Sequence, residues 1–243
     1  MTTRIGFLLF PRLTQLDMTG PYEVFARLPD AQVLLVGRGE ARSDTGLRLT
    51  PDVGPSDAPQ LDVLCVPGGP GVNAAMEDEA LLRFLRAQAE RAAWVTSVCT
   101  GALVLGAAGL LRGYRATTHW LSLDLLAAFG ATPVQERVVI DRNRATGGGV
   151  TAGIDFGLRL AAELRGEKVA QAIQLGMEYD PAPPFQAGSP RSADPELVQS
   201  VSAARRGIDD ERRRIVERAA AKLAAAVFGG ATLFMARALW AAL

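Results

Sequence analysis

Short apolar runs recur along this chain at intervals that leave room for a helix between them, and this alternation restricts it to an α/β fold on a mainly parallel sheet. The runs over residues 4–10, 32–37, 61–67 and Trp94–Val98 are strand-like and read as buried strands. A helix is predicted over residues 22–28, with Pro21 at its first position, and another over 78–92. Residues 102–111 are apolar on every side, which predicts a buried helix. Further on come a short strand at 115–118 and a helix at 120–129. A hairpin follows, with residues 137–140 and 145–146 flanking Asp141-Arg142-Asn143, and then a helix at 151–164. Residues 46–59 are turn-rich, with room for a short hairpin, and the Pro-rich segment 180–190 reads as a surface loop. The expected architecture is an α/β fold on a mainly parallel sheet.

The remaining stretch reads as a helix with Ile208, Ile215, Ala219, Leu223 and Ala226 on one face. Glu211 and residues 214–218 fall on its solvated sides. Residues 231–243 are apolar except for Arg237, but fall short of the ~20 residues a membrane span needs. They read as a tail packed on the protein or at an oligomer contact. The division expected is one domain over residues 1–228 and a tail over 229–243.

Charge and cysteine usage narrow the chemistry. Acidic and basic residues number 26 each, which argues against nucleic acid or an anionic membrane as a partner. The two cysteines, Cys65 and Cys99, both lie in or at the end of strand-like runs, a pattern of reduced thiols and a cytoplasmic location. With a single histidine, His119, the usual zinc sites are out of reach. No cofactor or metal is expected.

Cys99 carries the strongest signal. The run Trp94-Val95-Thr96-Ser97-Val98-Cys99-Thr100-Gly101-Ala102-Leu103 is strand, tight turn, helix, which lifts the turn residue above the sheet as a nucleophile elbow does. A helix N-terminus beside a thiol is expected to lower its pKa and favour the nucleophilic thiolate. Cys65, inside a strand, reads as structural. Two glycine clusters, Pro67-Gly68-Gly69-Pro70-Gly71 and Gly147-Gly148-Gly149, also follow strands. Carboxyl ends of parallel strands gather ligand-binding loops, so both clusters should meet the Cys99 elbow and offer backbone N–H groups to a ligand. Neither matches a phosphate-binding pattern. Asp17 follows the first strand in an apolar setting. It is either a helix cap or turn residue or an acid/base group with a raised pKa beside the sulfur. His119 follows a strand and is either a structural or a catalytic imidazole.

Taken together, these segments resemble the isocyanide hydratases of the ThiJ/PfpI superfamily. The resemblance rests on Ile5-Gly6-Phe7-Leu8-Leu9-Phe10-Pro11, Gln15-Leu16-Asp17-Met18-Thr19-Gly20-Pro21, Cys65-Val66-Pro67-Gly68-Gly69, the elbow and the residues through Leu111, Arg115-Ala116-Thr117-Thr118-His119-Trp120, Thr146-Gly147-Gly148-Gly149-Val150-Thr151-Ala152-Gly153-Ile154-Asp155-Phe156, and Pro181-Ala182-Pro183-Pro184-Phe185. It implies a flavodoxin-like, mainly parallel sheet with helices on both faces, in a homodimer that hydrates an isocyanide to an N-substituted formamide. Cys99 would attack the terminal carbon and form a thioimidate, Asp17 would move protons, and Thr100 would hydrogen-bond within the site. Gly69, Gly149, Val150, His119 and Trp120 would line the substrate. The chain departs from the hydratase pattern at Pro70, where Thr is expected. Similar domains form the N-terminal half of some AraC-type transcription regulators, so a ligand or redox sensor is the alternative. Those proteins carry a further DNA-binding region, for which the chain shows no basic stripe.

Overall fold

The first strand, β1 (Thr3–Leu8), is buried over its last four residues without alternation, as a central strand of a sheet covered on both faces must be. The computed structural model that contains it describes residues 2–240, with side chains through residue 225. Five further strands complete the sheet: β2 (Ala31–Val36), β3 (Val63–Val66), β4 (Trp94–Val98), β5 (Val138–Asp141) and β6 (Arg144–Gly147). Their order is β2-β1-β3-β4-β6-β5. All neighbours pair in parallel except β5, which runs antiparallel to β6 across a tight turn at Arg142 and Asn143. Two minor ladders lie outside the sheet, Ala41–Arg42 with Arg48–Leu49 and Arg115–Ala116 with Thr132–Pro133.

The helices are α1 (Gln15–Phe25), α2 (Val72–Ala75), α3 (Glu79–Ala89), α4 (Gly101–Ala107), α5 (Ala152–Arg165), α6 (Glu167–Gly176) and α7 (Pro195–Trp240). They form two groups, α1 with α5 and α6, and α2, α3 and α7 around α4. Small residues set the first group's spacing: a Cβ on Gly157 would lie 3.1 Å from the Val24 side chain, so α1 and α5 approach through their backbones. In the second group α4 is buried at every position, as its all-round apolar sequence predicts.

Several expected elements are corrected. The first helix begins at Gln15, six residues before Pro21, and holds that proline inside it. The ring removes one helical N–H, and burial of Met18, Val24 and Phe25 on the core side compensates. The helix predicted over 102–111 ends at Ala107. Residues 120–129 form two short 3₁₀ segments, Trp120–Ser122 and Asp124–Phe129. The hairpin sought in 46–59 pairs Arg48–Leu49 with the earlier Ala41–Arg42. α6 has no counterpart in the sequence reading. On α7, Ile215 and Ala219 are buried as expected, while the Ala226 side chain and the apolar tail lie outside the described residues. Among the described residues no helix is long and apolar enough to cross a membrane.

Candidate active site

The parallel order places the carboxyl ends of β1, β3, β4 and β6 along one edge, with the chain diverging between β1 and β3. That crevice is where such sheets hold ligands. Backbone hydrogen bonds stitch its loops together. Thr14 N donates to Gly68 O at 2.9 Å, Gly71 N to Arg12 O at 3.0 Å, and Cys99 N to Gly147 O at 3.0 Å. The three loops expected to meet do so.

Cys99 sits directly after β4 with φ 56°, a left-handed conformation that costs a non-glycine residue about 1–3 kcal/mol and persists only where surroundings enforce it. Thr118 supplies part of that enforcement by donating its hydroxyl to Cys99 O at 2.7 Å. The side chain is almost wholly enclosed, at 5% exposure.

Asp17 is the third residue of α1 and is fully buried. It caps nothing: Thr14 stands at the cap position, which removes the helix-cap reading. Its Oδ2 accepts the Gly68 N–H at 2.9 Å, while Oδ1 has no hydrogen-bond partner among the described residues. Burial lifts the carboxyl to about 7, against the lowering effect of the Gly68 N–H and of the Cys99 thiol that lies against it. Burial pushes the Cys99 thiol well above its ordinary value, and the Asp17 charge adds to the rise. The Thr100 N–H does lower it, as a helix N-terminus should, but desolvation and the carboxylate outweigh that contribution. The expected free thiolate is therefore corrected to a thiol paired with a carboxylate that titrates near neutrality.

Gly68 and Gly69 make the pairing possible. A Cβ on Gly68 would fall 2.5 Å from Thr100 N and 2.8 Å from Asp17 Oδ2, so only glycine lets the loop pass between acid and elbow. Gly69 has φ 120°, a conformation open to glycine. Its N–H donates to Thr100 Oγ1 at 3.0 Å. That donation ties Thr100 to the glycine turn and directs the Gly69 N–H at protein, correcting its expected place as a free donor to ligand. Gly149 and Val150, by contrast, donate to no acceptor among the described residues.

A cavity of about 340 Å³ opens beside the elbow, lined by His119, Trp120, Gly149, Val150 and Pro190 among others. Four expected site residues thus share one wall. Cys99 is not in that wall; Thr118 lines the cavity and links it to the thiol's own backbone. The Pro-rich segment, read as plain surface loop, contributes Gly188, Ser189 and Pro190 to the same cavity, and Arg191 just beyond it lines the cavity too. His119 accepts the Leu121 N–H on Nδ1 at 3.3 Å. Burial, helped by the charges of Arg205 and Arg212, pushes it down to about 4. It is a neutral imidazole holding a turn. Cys65 is inert: it is buried in β3 beside Thr96 Oγ1, 3.1 Å away, and its thiol is pushed up to about 12 by burial.

One residue of this region escaped sequence reasoning. Arg212 of α7 is 1% exposed. Its Nε donates to Asn73 Oδ1 at 3.0 Å and its Nη1 to Ser122 Oγ at 3.2 Å. The available signal was its spacing, since it shares the helical face of Ile208, Ile215 and Ala219.

The chain is similar to known proteins in both sequence and structure. The chain is 57% identical to an isonitrile hydratase of Pseudomonas putida over 225 residues, 92% of this chain and 99% of that protein. It is 36% identical to the HTH-type transcriptional regulator GbdR of Pseudomonas aeruginosa over 72% of this chain, but only 50% of the regulator. A crystal structure of a ThiJ/PfpI family protein from Pseudomonas syringae superposes with a TM-score of 0.87 at 42% identity, covering 89% of this chain and 91% of the other. The model of the DJ-1/PfpI family matches residues 3–163, a span that contains Asp17, the glycine turn and the Cys99 elbow, and by that match the chain belongs to the DJ-1/PfpI family.

Proposed function

We propose that the chain is an isocyanide hydratase, a lyase that converts R–N≡C and water to the formamide R–NH–CHO. The observation that carries this reading is the buried Asp17–Cys99 pair, taken with 57% identity to an isonitrile hydratase across nearly the whole of both chains. An isocyanide carbon accepts a nucleophile and a proton at the same atom. A thiol paired with a carboxylate supplies both.

In the first step the ionised Asp17 takes the thiol proton as Cys99 Sγ bonds to the terminal carbon. The same proton then passes from Asp17 to that carbon, giving the thioimidate R–N=CH–S–Cys99. In the second step Asp17 removes a proton from water as its oxygen attacks the thioimidate carbon. The carboxyl passes that proton to nitrogen; the regenerated carboxylate then takes the hydroxyl proton as the C–S bond breaks and the C=O forms, and hands it to the departing sulfur. Formamide departs and the pair returns to its starting state. The carboxyl therefore acts as base and acid in turn, which a value near 7 allows. Thr100 holds the glycine turn against Asp17, and the N–H groups of Gly149 and Val150 are available to the substrate. His119 and Trp120 furnish the wall for the R group. A homodimer is part of the same reading, supported by the exposed Leu175 and Phe185, since such apolar side chains favour contacts.

The direct test is incubation with a simple aryl isocyanide and chromatography of the products. Formamide should appear with turnover well beyond one per chain. Consumption without formamide, or no reaction at all, would sink the reading.

A further inference from the structure

We infer that Arg212 is a positioning residue of the Cys99 site: from outside the family module it locks together the helix after the glycine turn and the segment after His119, and it adds a fixed, buried positive charge to that region. The inference rests on the hydratase reading for its catalytic arm only.

The geometry is that of a clamp. Asn73 belongs to α2, directly after the Pro67–Gly71 turn, and Ser122 closes the 3₁₀ segment that begins beside His119. One guanidinium from a third element, α7, takes both side chains, through Nε and Nη1. Its third nitrogen, Nη2, is buried and has no partner among the described residues. The nearest carboxylate is Asp209, at 3.6 Å and itself partly exposed. Burying a guanidinium with one nitrogen unpaired and loosely matched charge is expensive. A buried apolar side chain would serve packing better, so the residue's use lies in its charge and its fork.

That charge is felt by Cys99, with which it interacts, and by the neighbouring His119, which it lowers. The other groups facing this region are Asp17 from α1 with Asp44 behind it, His119 itself, and Arg205, Asp209 and Glu211 from α7. A cation on this side opposes the rise that burial and Asp17 impose on the thiol, and it favours sulfur carrying negative charge as it attacks or leaves.

The experiment measures two things for the full chain: the pH profile of Cys99 alkylation by iodoacetamide, and steady-state hydration of an aryl isocyanide. Arg212→Gln should move the alkylation profile upward by roughly half to one pH unit. It should lower kcat on the order of ten- to a hundredfold through misplaced walls, with little change in KM. Arg212→Lys keeps the charge and loses the fork, so its alkylation profile should return to that of wild type while kcat stays low. An Arg212→Gln profile that overlays wild type would overturn the inference. If Arg212→Gln shows no cooperative melting, the double variant Asn73→Ser with Ser122→Ala decides, since it removes both anchors and keeps the cation. A tenfold lower kcat supports the clamp, and a wild-type kcat overturns it. Absence of formamide from wild type would defeat the hydratase reading alone, because the alkylation profile judges Arg212 without it.

Discussion

At Cys99 a strained backbone and a buried thiol coincide, and Asp17 decides what that thiol can do. Cys99→Ala should abolish formamide production with the melting curve retained; a tenth of wild-type activity at saturating substrate would rule out covalent catalysis. Asp17→Asn should lose about 10²–10⁴ in kcat, the usual worth of positioned proton transfer. Its pH behaviour gives a sharper check. Asp17 must be ionised to take the thiol proton, so wild-type kcat/KM should fall as pH drops through about 7, and the residual activity of Asp17→Asn should lack that limb. Stability should move the other way. The folded carboxyl titrates near 7 and the unfolded one near 3.8, so the folded state binds the proton more tightly. Stability contributed by the neutral carboxyl is present below the unfolded value and is lost as pH rises through the folded one. At pH 8 Asp17→Asn should therefore melt higher than wild type, by calorimetry, while doing almost no chemistry. An unchanged or lower melting temperature would mean that the carboxyl is not desolvated as described.

At the level of elements, the loop between β3 and α2 brings acid and elbow together. Gly68→Ala should cost about 1–3 kcal/mol in urea unfolding, the usual penalty of overpacking, and remove most activity, because the new Cβ would part Asp17 from Thr100. Wild-type turnover in that variant would show that the loop can relax without loss. This loop, four of the five parallel strands and the elbow were legible in the sequence because each has a local signature: continuous apolar runs, clustered glycines, and small residues around a cysteine. Other elements lacked one. α1 was misplaced because Pro21 is a good helix opener, and only burial of Met18, Val24 and Phe25 against the sheet makes it tolerable inside. α6 was missed because it is short and polar on its outer face; contact with α5 defines it. Arg212 was missed because arginine on a helix ordinarily reads as solvated, and its partners Asn73 and Ser122 lie far away in sequence. The lowered thiol pKa failed for a related reason. The helix N-terminus is a local feature, whereas the opposing burial and the Asp17 charge arise only from the assembled site.

For the molecule as a whole, light scattering should give about twice the 25.7 kDa chain mass, and a monomer at micromolar concentration would refute the dimer. Leu175 and Phe185, both strongly exposed, are the natural places to introduce charge if the contact is to be broken. The enclosure of Cys99 has a consequence for what the molecule can accept. Cys99 is 5% exposed and is not among the residues that line the cavity, an enclosure that favours a slender reactive head over a bulky one. An isocyano group is linear, with its reactive carbon at the very tip and no substituent beside it. A carbonyl carbon is trigonal and carries its bulk around the point of attack. The same fold can thus rank electrophiles by silhouette as well as by reactivity, favouring rod-shaped heads over broad ones.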